Sequence, residues 1–290
     1  MTTVSAPADI QNPAYRLAAL FFYLSEPGFT RSGHHFFSMS IETSNDLTGM
    51  QAISDVVGIV LKQMQEYAKP GMSTRALDNY GGELLRQYGA RPAPKLMYGF
   101  PGHTCISVNQ EVAHGIPSAN VILQEGDLVN VDVSAERNGY FSDNGGSFVL
   151  GNDIHQHNKL VNASKRILRA AIARIRAGMR IVEIGRYIET EARKAGFTVI
   201  KNLVGHGVGR SLHEAPFEIP CWYDRTNTAR FKKNAVVAIE TFISTRATAV
   251  VEKGDGWTYI TRDGSFVAQH EHTIVVTDEQ PVILTTANGI

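Results

Sequence analysis

The chain has 290 residues, with 28 Lys and Arg against 28 Asp and Glu, 43% hydrophobic residues and only two cysteines, a composition typical of ordinary globular proteins. Zero formal net charge argues against DNA and membrane surfaces as partners, because both reward a basic excess. Cys105 and Cys221 form neither a disulfide framework nor a Cys-x-x-Cys pair, which fits a reducing, cytoplasmic setting.

Residues 1–44 read as a poorly ordered N-terminal extension and 45–290 as a single catalytic domain. No lasting period runs through the first 38 residues, and the sequence from Met39 onward reads like an ordinary start. The apolar stretch from Leu17 to Leu24 is far short of the roughly 20 residues that span a bilayer. From Asn45 to Tyr67 apolar residues recur at helical spacing and stop at Pro70-Gly71, and a second helix is predicted from Ser73 to Tyr88. Later, Asp153 to Ala177 reads as a long helix with a basic face, and Val182 to Ala195 as another that stops at Gly196.

The two helix pairs look alike at an offset of 107 residues: Gly71 with Gly178, Met72 with Met179, Tyr80 with Tyr187, and Gly89 with Gly196. Each pair is followed by a β-rich region whose strand carries one acid, Asp132 in the first and Glu240 in the second. A duplicated α+β unit, with acidic strands meeting near a pseudo-twofold axis, accounts for both.

Strand alternation puts Asn130, Asp132 and Ser134 on one face and Val129, Val131 and Val133 on the other. Asp143, Glu240 and Glu271 likewise stand as lone acids in strand-like runs almost without basic neighbours. Converging carboxylates must be neutralised by protons, basic partners or metal ions. An acid cluster joined by one or two imidazoles suits hard or borderline divalent cations. The imidazole candidates lie in Gly205-His206-Gly-Val-Gly-Arg-Ser-Leu-His213 and in Ala113-His114-Gly-Ile-Pro. The glycine spacing is wrong for a dinucleotide loop, and Phe217 stands where a zinc-protease helix needs its second His. His155 and His157 read as solvated, and His270 and His272 as facing away from Glu271.

Taken in order, Cys105-Ile-Ser-Val-Asn-Gln-Glu-Val-Ala-His114-Gly-Ile-Pro, Gly-Asp-Leu-Val-Asn-Val-Asp132-Val, Asp143, Gly-His206-Gly-Val-Gly-Arg-Ser-Leu-His213-Glu-Ala-Pro, Ala-Ile-Glu240 and Gln-His-Glu271-His-Thr-Ile-Val-Val resemble the type I methionine aminopeptidases over about residues 45 to 287. The resemblance implies an α+β pita-bread (creatinase/aminopeptidase-like) fold with an internal pseudo-twofold repeat, and removal of initiator methionine from nascent polypeptide N-termini whose second residue is small. It implies two divalent metal ions, of the Co, Mn, Fe, Zn or Ni class, held by Asp132, Asp143, His206, Glu240 and Glu271, with Asp143 and Glu271 bridging. It also implies Glu240 as general base, His114 and His213 as catalytic groups that reach the substrate, and Phe100, Cys105 and Trp257 as the methionine pocket.

Three places depart from the family pattern: Asn144-Gly145-Gly146 where Thr usually follows the aspartate, Thr241 where Pro usually follows the glutamate, and Leu212 where an aromatic is common. Leu212 predicts a looser pocket, and the other two departures, nearer the acids, predict a shifted metal affinity or rate. The alternatives are an Xaa-Pro aminopeptidase or dipeptidase of the same fold, a catalytically impaired pita-bread binding protein, and a carboxylate-pair glycosidase, which gives no use to His206. A monomer is expected. Setting aside four ligand acids leaves a mild basic excess, part of it at Lys159, Lys165, Arg166, Arg169, Arg174 and Arg176, which suggests weak ribosome association.

Overall fold

The computed structural model describes residues 41–290, so the predicted extension lies outside the described residues except for 41–44. Thr43 starts helix α1 (Ser44–Tyr67) with a reciprocal cap: its hydroxyl accepts the Asp46 N–H, and the Asp46 carboxylate accepts the Thr43 N–H. Helix α2 (Thr74–Gln87) is capped by Ser73. There follow β1 (Arg91–Pro92), α3 (Ala93–Tyr98), β2 (Cys105–Val108), β3 (Glu111–Ala113), β4 (Leu128–Arg137) and β5 (Tyr140–Val149). The second half supplies α4 (Asn158–Ile172), α5 (Ile181–Lys194), β6 (Thr198–Val199), β7 (Val204–Gly207), β8 (Glu214–Pro220) and β9 (Val236–Ser244). It closes with β10 (Val251–Glu252), β11 (Tyr259–Ile260), β12 (Val267–Val275), β13 (Val282–Ile283) and a short 3₁₀ turn, Thr286–Asn288.

The main sheet runs β1-β4-β5-β12-β9-β7-β8, with β2 beside β4 and β6 beside β9. Its centre is the antiparallel seam between β5 and β12, one strand from each half. Helix α1 packs behind β4 and β5, and α4 behind β9 and β12. The apolar strand face is therefore covered: Val129, Val131 and Val133 join Ile53, Val57 and Leu61 of α1 in one core, while Val237, Ile239 and Ile243 join Ile167, Leu168 and Ile172 of α4 in another. Each such side chain, fully buried, contributes about 1.5–3 kcal/mol. The opposite strand face is left for chemistry. A small sheet, β10-β11-β3, walls one end of it.

The repeat read from the sequence holds in the backbone. The Gly71 N–H donates to the Leu123 carbonyl and the Gly178 N–H to the Phe231 carbonyl, both at 2.8 Å, and in each half a return bond reaches the following Met carbonyl. Gly71 and Gly178 have φ of +85° and +82°, a left-handed conformation open to glycine. This is the α+β pita-bread architecture that the resemblance implies.

The predicted helix from Asp153 to Ala177 is shorter, at Asn158–Ile172. Asp153 instead accepts the backbone N–H groups of His157 and Asn158, and Gln156 adopts φ +62°, so residues 153–157 form a lead-in turn. That turn also corrects the reading of His157 as solvated. It is buried, with its ring 4.3 Å from that of Phe266, whereas His155 is exposed.

Candidate metal centre and substrate cleft

The free face of the sheet floors a cleft of about 300 Å³ lined by Asp132, Asp143, Glu240 and Glu271 and by His114, His206 and His213. Strand register explains the convergence. Asp132 on β4 lies level with Gly145 on β5, and Glu271 on β12 pairs with Glu240 on β9. Asp143 lies level with Ser134, whose hydroxyl donates to Asp143 Oδ1 at 2.7 Å, and His206 on β7 is level with Ala238. Period-2 alternation turns every one of these toward the cleft.

His206 is placed by glycines on either side. A Cβ at Gly205 would stand 2.5 Å from the Ala238 carbonyl oxygen, and one at Gly207 2.5 Å from that of Ala215, so only glycine lets β7 pass between β8 and β9. The His206 Nδ1 lies 3.0 Å from the Gly207 carbonyl oxygen. A carbonyl only accepts, so Nδ1 carries the proton and Nε2 presents its lone pair, 3.7 Å from Asp143 Oδ2. Ligand atoms of Asp143, His206 and Glu271 all lie within 4.8 Å of one another, a cluster fit for a cation.

Among the described residues no Lys or Arg neutralises this set, and the nearest imidazole, His206, faces Asp143 with a neutral Nε2. Burial, and then the charges of Asp143 and Glu240, push the Asp132 carboxyl well above the usual range, and burial followed by Asp143 does the same to Glu271. Glu240 is pushed up to about 8 by burial and by Asp143. Asp132 Oδ1 and Glu271 Oε1 are buried without a hydrogen-bond partner, a cost of roughly 1–3 kcal/mol or more for each that a bound cation removes. The residues fit a divalent metal site.

The other predicted groups surround this cluster. The His213 ring lies 4.0 Å from that of His206, and its Nδ1 is 2.6 Å from the Tyr98 hydroxyl oxygen. Burial and then the neighbouring imidazoles hold His213 well below the ordinary histidine range, and burial brings His114 down to about 4. Both are therefore neutral imidazoles facing the cleft. Phe100, Cys105 and Trp257 form a separate apolar corner, with the Phe100 and Trp257 rings edge-to-face at 5.2 Å. Leu212 is buried and also lines the cleft.

His270 and His272 face away from Glu271 as read, bonded to Ser164 of α4 and to Thr285 beyond β13. Thr241 also points that way, with its hydroxyl 3.0 Å from that of Ser164, so this departure ties β9 to α4 and does not face the acids. Asn144 turns away too: its Oδ1 accepts from Asn288. Tyr98 and Gln269 were missed in the sequence. Gln269 stands two residues before Glu271, so alternation could have placed it on the cleft face; Tyr98, ending a six-residue helix, carries no such signal.

Residues 48–278 match the model of metallopeptidase family M24. The chain belongs to that family. This M24 metallopeptidase is 50% identical over 247 residues to methionine aminopeptidase 2 of Bacillus subtilis, covering 85% of its own length and 99% of the relative. It superposes on the crystal structure of methionine aminopeptidase from Thermotoga maritima with a TM-score of 0.81 at 34% identity, over 85% of this chain and 99% of that one. Prolidase from Pyrococcus furiosus shares the fold, with a TM-score of 0.66 at 19% identity, but this chain covers only 64% of it. The resemblance read from the sequence is thus borne out, and the Xaa-Pro alternative is the less favoured.

Proposed function

We propose that this M24 metallopeptidase is a methionine aminopeptidase that removes the initiator methionine from nascent chains with a small second residue. The observation that carries the reading is the set of converging acids around His206, without a Lys or Arg among the described residues to neutralise them, set beside the apolar corner of Phe100, Cys105 and Trp257. Asp132, Asp143, His206, Glu240 and Glu271 would hold two divalent ions. When bound, such ions polarise a peptide carbonyl and lower the pKa of water.

The rest follows from this chain's own side chains. Phe100, Cys105 and Trp257 receive an unbranched thioether, with the Cys105 thiol kept protonated by burial. Glu240, a carboxylate facing the cleft beside the other acids, is the group suited to take the proton of the attacking water once bound cations have expelled its own. His114 and His213, neutral and capable of donating, contact the scissile amide and its carbonyl as charge develops there.

The test uses the protein loaded with Co²⁺ or Mn²⁺ and the peptides Met-Gly, Met-Leu and Ala-Pro. Release of methionine from Met-Gly, abolished by chelator and by Asp132→Ala, is expected. Cleavage of Ala-Pro alone transfers the reading to an Xaa-Pro peptidase, and tight metal binding without turnover points to the binding protein. A cytoplasmic location and a monomeric state belong to the same reading. The finer partner reading, weak ribosome association, rests on Lys159, Arg166 and Arg169, exposed along α4. Salt-sensitive co-sedimentation with ribosomes is expected, and its absence for the intact protein removes that partner.

A further inference from the structure

Of the residues that depart from the family pattern, Gly145 faces the acids. The pairings of Asp132 with Gly145 and of Glu271 with Glu240, joined by that of His270 with Gly146 across the seam, set one row of residues across four strands. The row reads Asp132, Gly145, Glu271, Glu240: three acids and one position with no side chain. The next row reads Asn130, Ser147, Gln269, Phe242, and from it the Gln269 carboxamide leans into the space over Gly145. A Cβ at Gly145 would stand 2.4 Å from Gln269 Oε1, 2.5 Å from Nε2 and 2.8 Å from the carboxamide carbon.

Gln269 is 2% exposed, and its amide has only one workable orientation. Asn130 Nδ2 donates to Oε1 at 2.8 Å, which leaves Nε2 toward the acids. Nε2 donates to Glu271 Oε2 at 3.1 Å and to Glu240 Oε2 at 3.2 Å. The Gln269 N–H is held in turn by Ser147 Oγ at 2.9 Å. Glu271 Oε1 is left with no protein partner.

We infer that Gln269 is a positioning residue, whose amide clasps one oxygen of Glu240 and one of Glu271 so that their other oxygens would be left to hold a metal ion, with Gly145 as the notch that seats it. The inference rests on the metallopeptidase reading above. A neutral amide suits this task better than Lys or Arg, because it orients two carboxylates without cancelling the charge that binds a cation. The glycine is therefore a fitted feature of the cleft, and a shifted metal affinity is what its substitution would read out.

The test compares wild type, Gln269→Met, Gly145→Ala and the double variant by calorimetric titration with Co²⁺, by the visible spectrum of the Co²⁺-loaded protein, and by kcat and KM on a Met-Gly peptide. Gln269→Met keeps the length and removes the donor; its Co²⁺ dissociation constant is expected to rise about 10–100-fold, with an altered spectrum and a fall in kcat that exceeds any change in KM. Gly145→Ala displaces the amide and should move the same readouts in the same direction, adding nothing once Gln269 is Met. Should Gln269→Met not fold, Gly145→Ala carries the decision alone. Wild-type affinity and spectrum in the variants overturn the inference while leaving the peptidase intact. A wild-type protein that binds no divalent ion overturns the underlying reading and this one with it.

Discussion

At the scale of single residues, protonation dominates the metal-free cleft. Glu240 is pushed up to about 8, and Asp132 and Glu271 well above their ordinary values, so the folded protein holds protons that the unfolded chain releases. Stability from these groups is fully present below the ordinary carboxylate range, near pH 4, and is lost as pH rises through about 8. His114, His206 and His213, all lowered mainly by burial, act with the opposite sign, but their effect is complete once pH passes about 6.5. Between roughly pH 6.5 and 8 the acids decide. The Tm of chelator-treated protein should fall across that window, and the gain on adding Mn²⁺ should grow, because binding expels the retained protons. A metal-free Tm that climbs over the same window contradicts this assignment of charge.

At the scale of elements, the duplicated unit makes its own quantitative claim. Gly71 and Gly178 both take left-handed φ, and a Cβ at either would meet nothing within 4 Å. Alanine there costs only the backbone conformation, roughly 1–2 kcal/mol, and the cost should be the same in both halves. Urea denaturation of Gly71→Ala and Gly178→Ala, with unchanged m values, checks this; a large destabilisation by one alone shows that the halves are not equivalent at that turn. The helix pairs were legible because apolar periodicity and glycine stops are local signals: α2 and α5 stand at the same 107-residue offset as the glycines. The start of α4 was less legible, because Asp153 spends its carboxylate on a turn and Gln156 takes a left-handed conformation, neither of which periodicity reports.

At the scale of the whole molecule, the sequence by itself determined the chemistry of the site. Alternation marked which strand face carried Asp132, and isolated acids without basic neighbours demanded a counter-charge. The order of motifs named the family, because residue type, spacing and period are local properties. Only the tertiary structure decided the arrangement. Register across the β5–β12 seam places Asp132, Gly145, Glu271 and Glu240 in one row, turns Thr241 and Asn144 away from it, brings Tyr98 against His213 and seats Gln269 over a missing Cβ. Such contacts join residues far apart in the chain, Tyr98 and His213 by 115 positions and Asn144 and Asn288 by 144. They depend on how strands pair, which is fixed by packing both halves against their helices and which no local pattern in the chain contains.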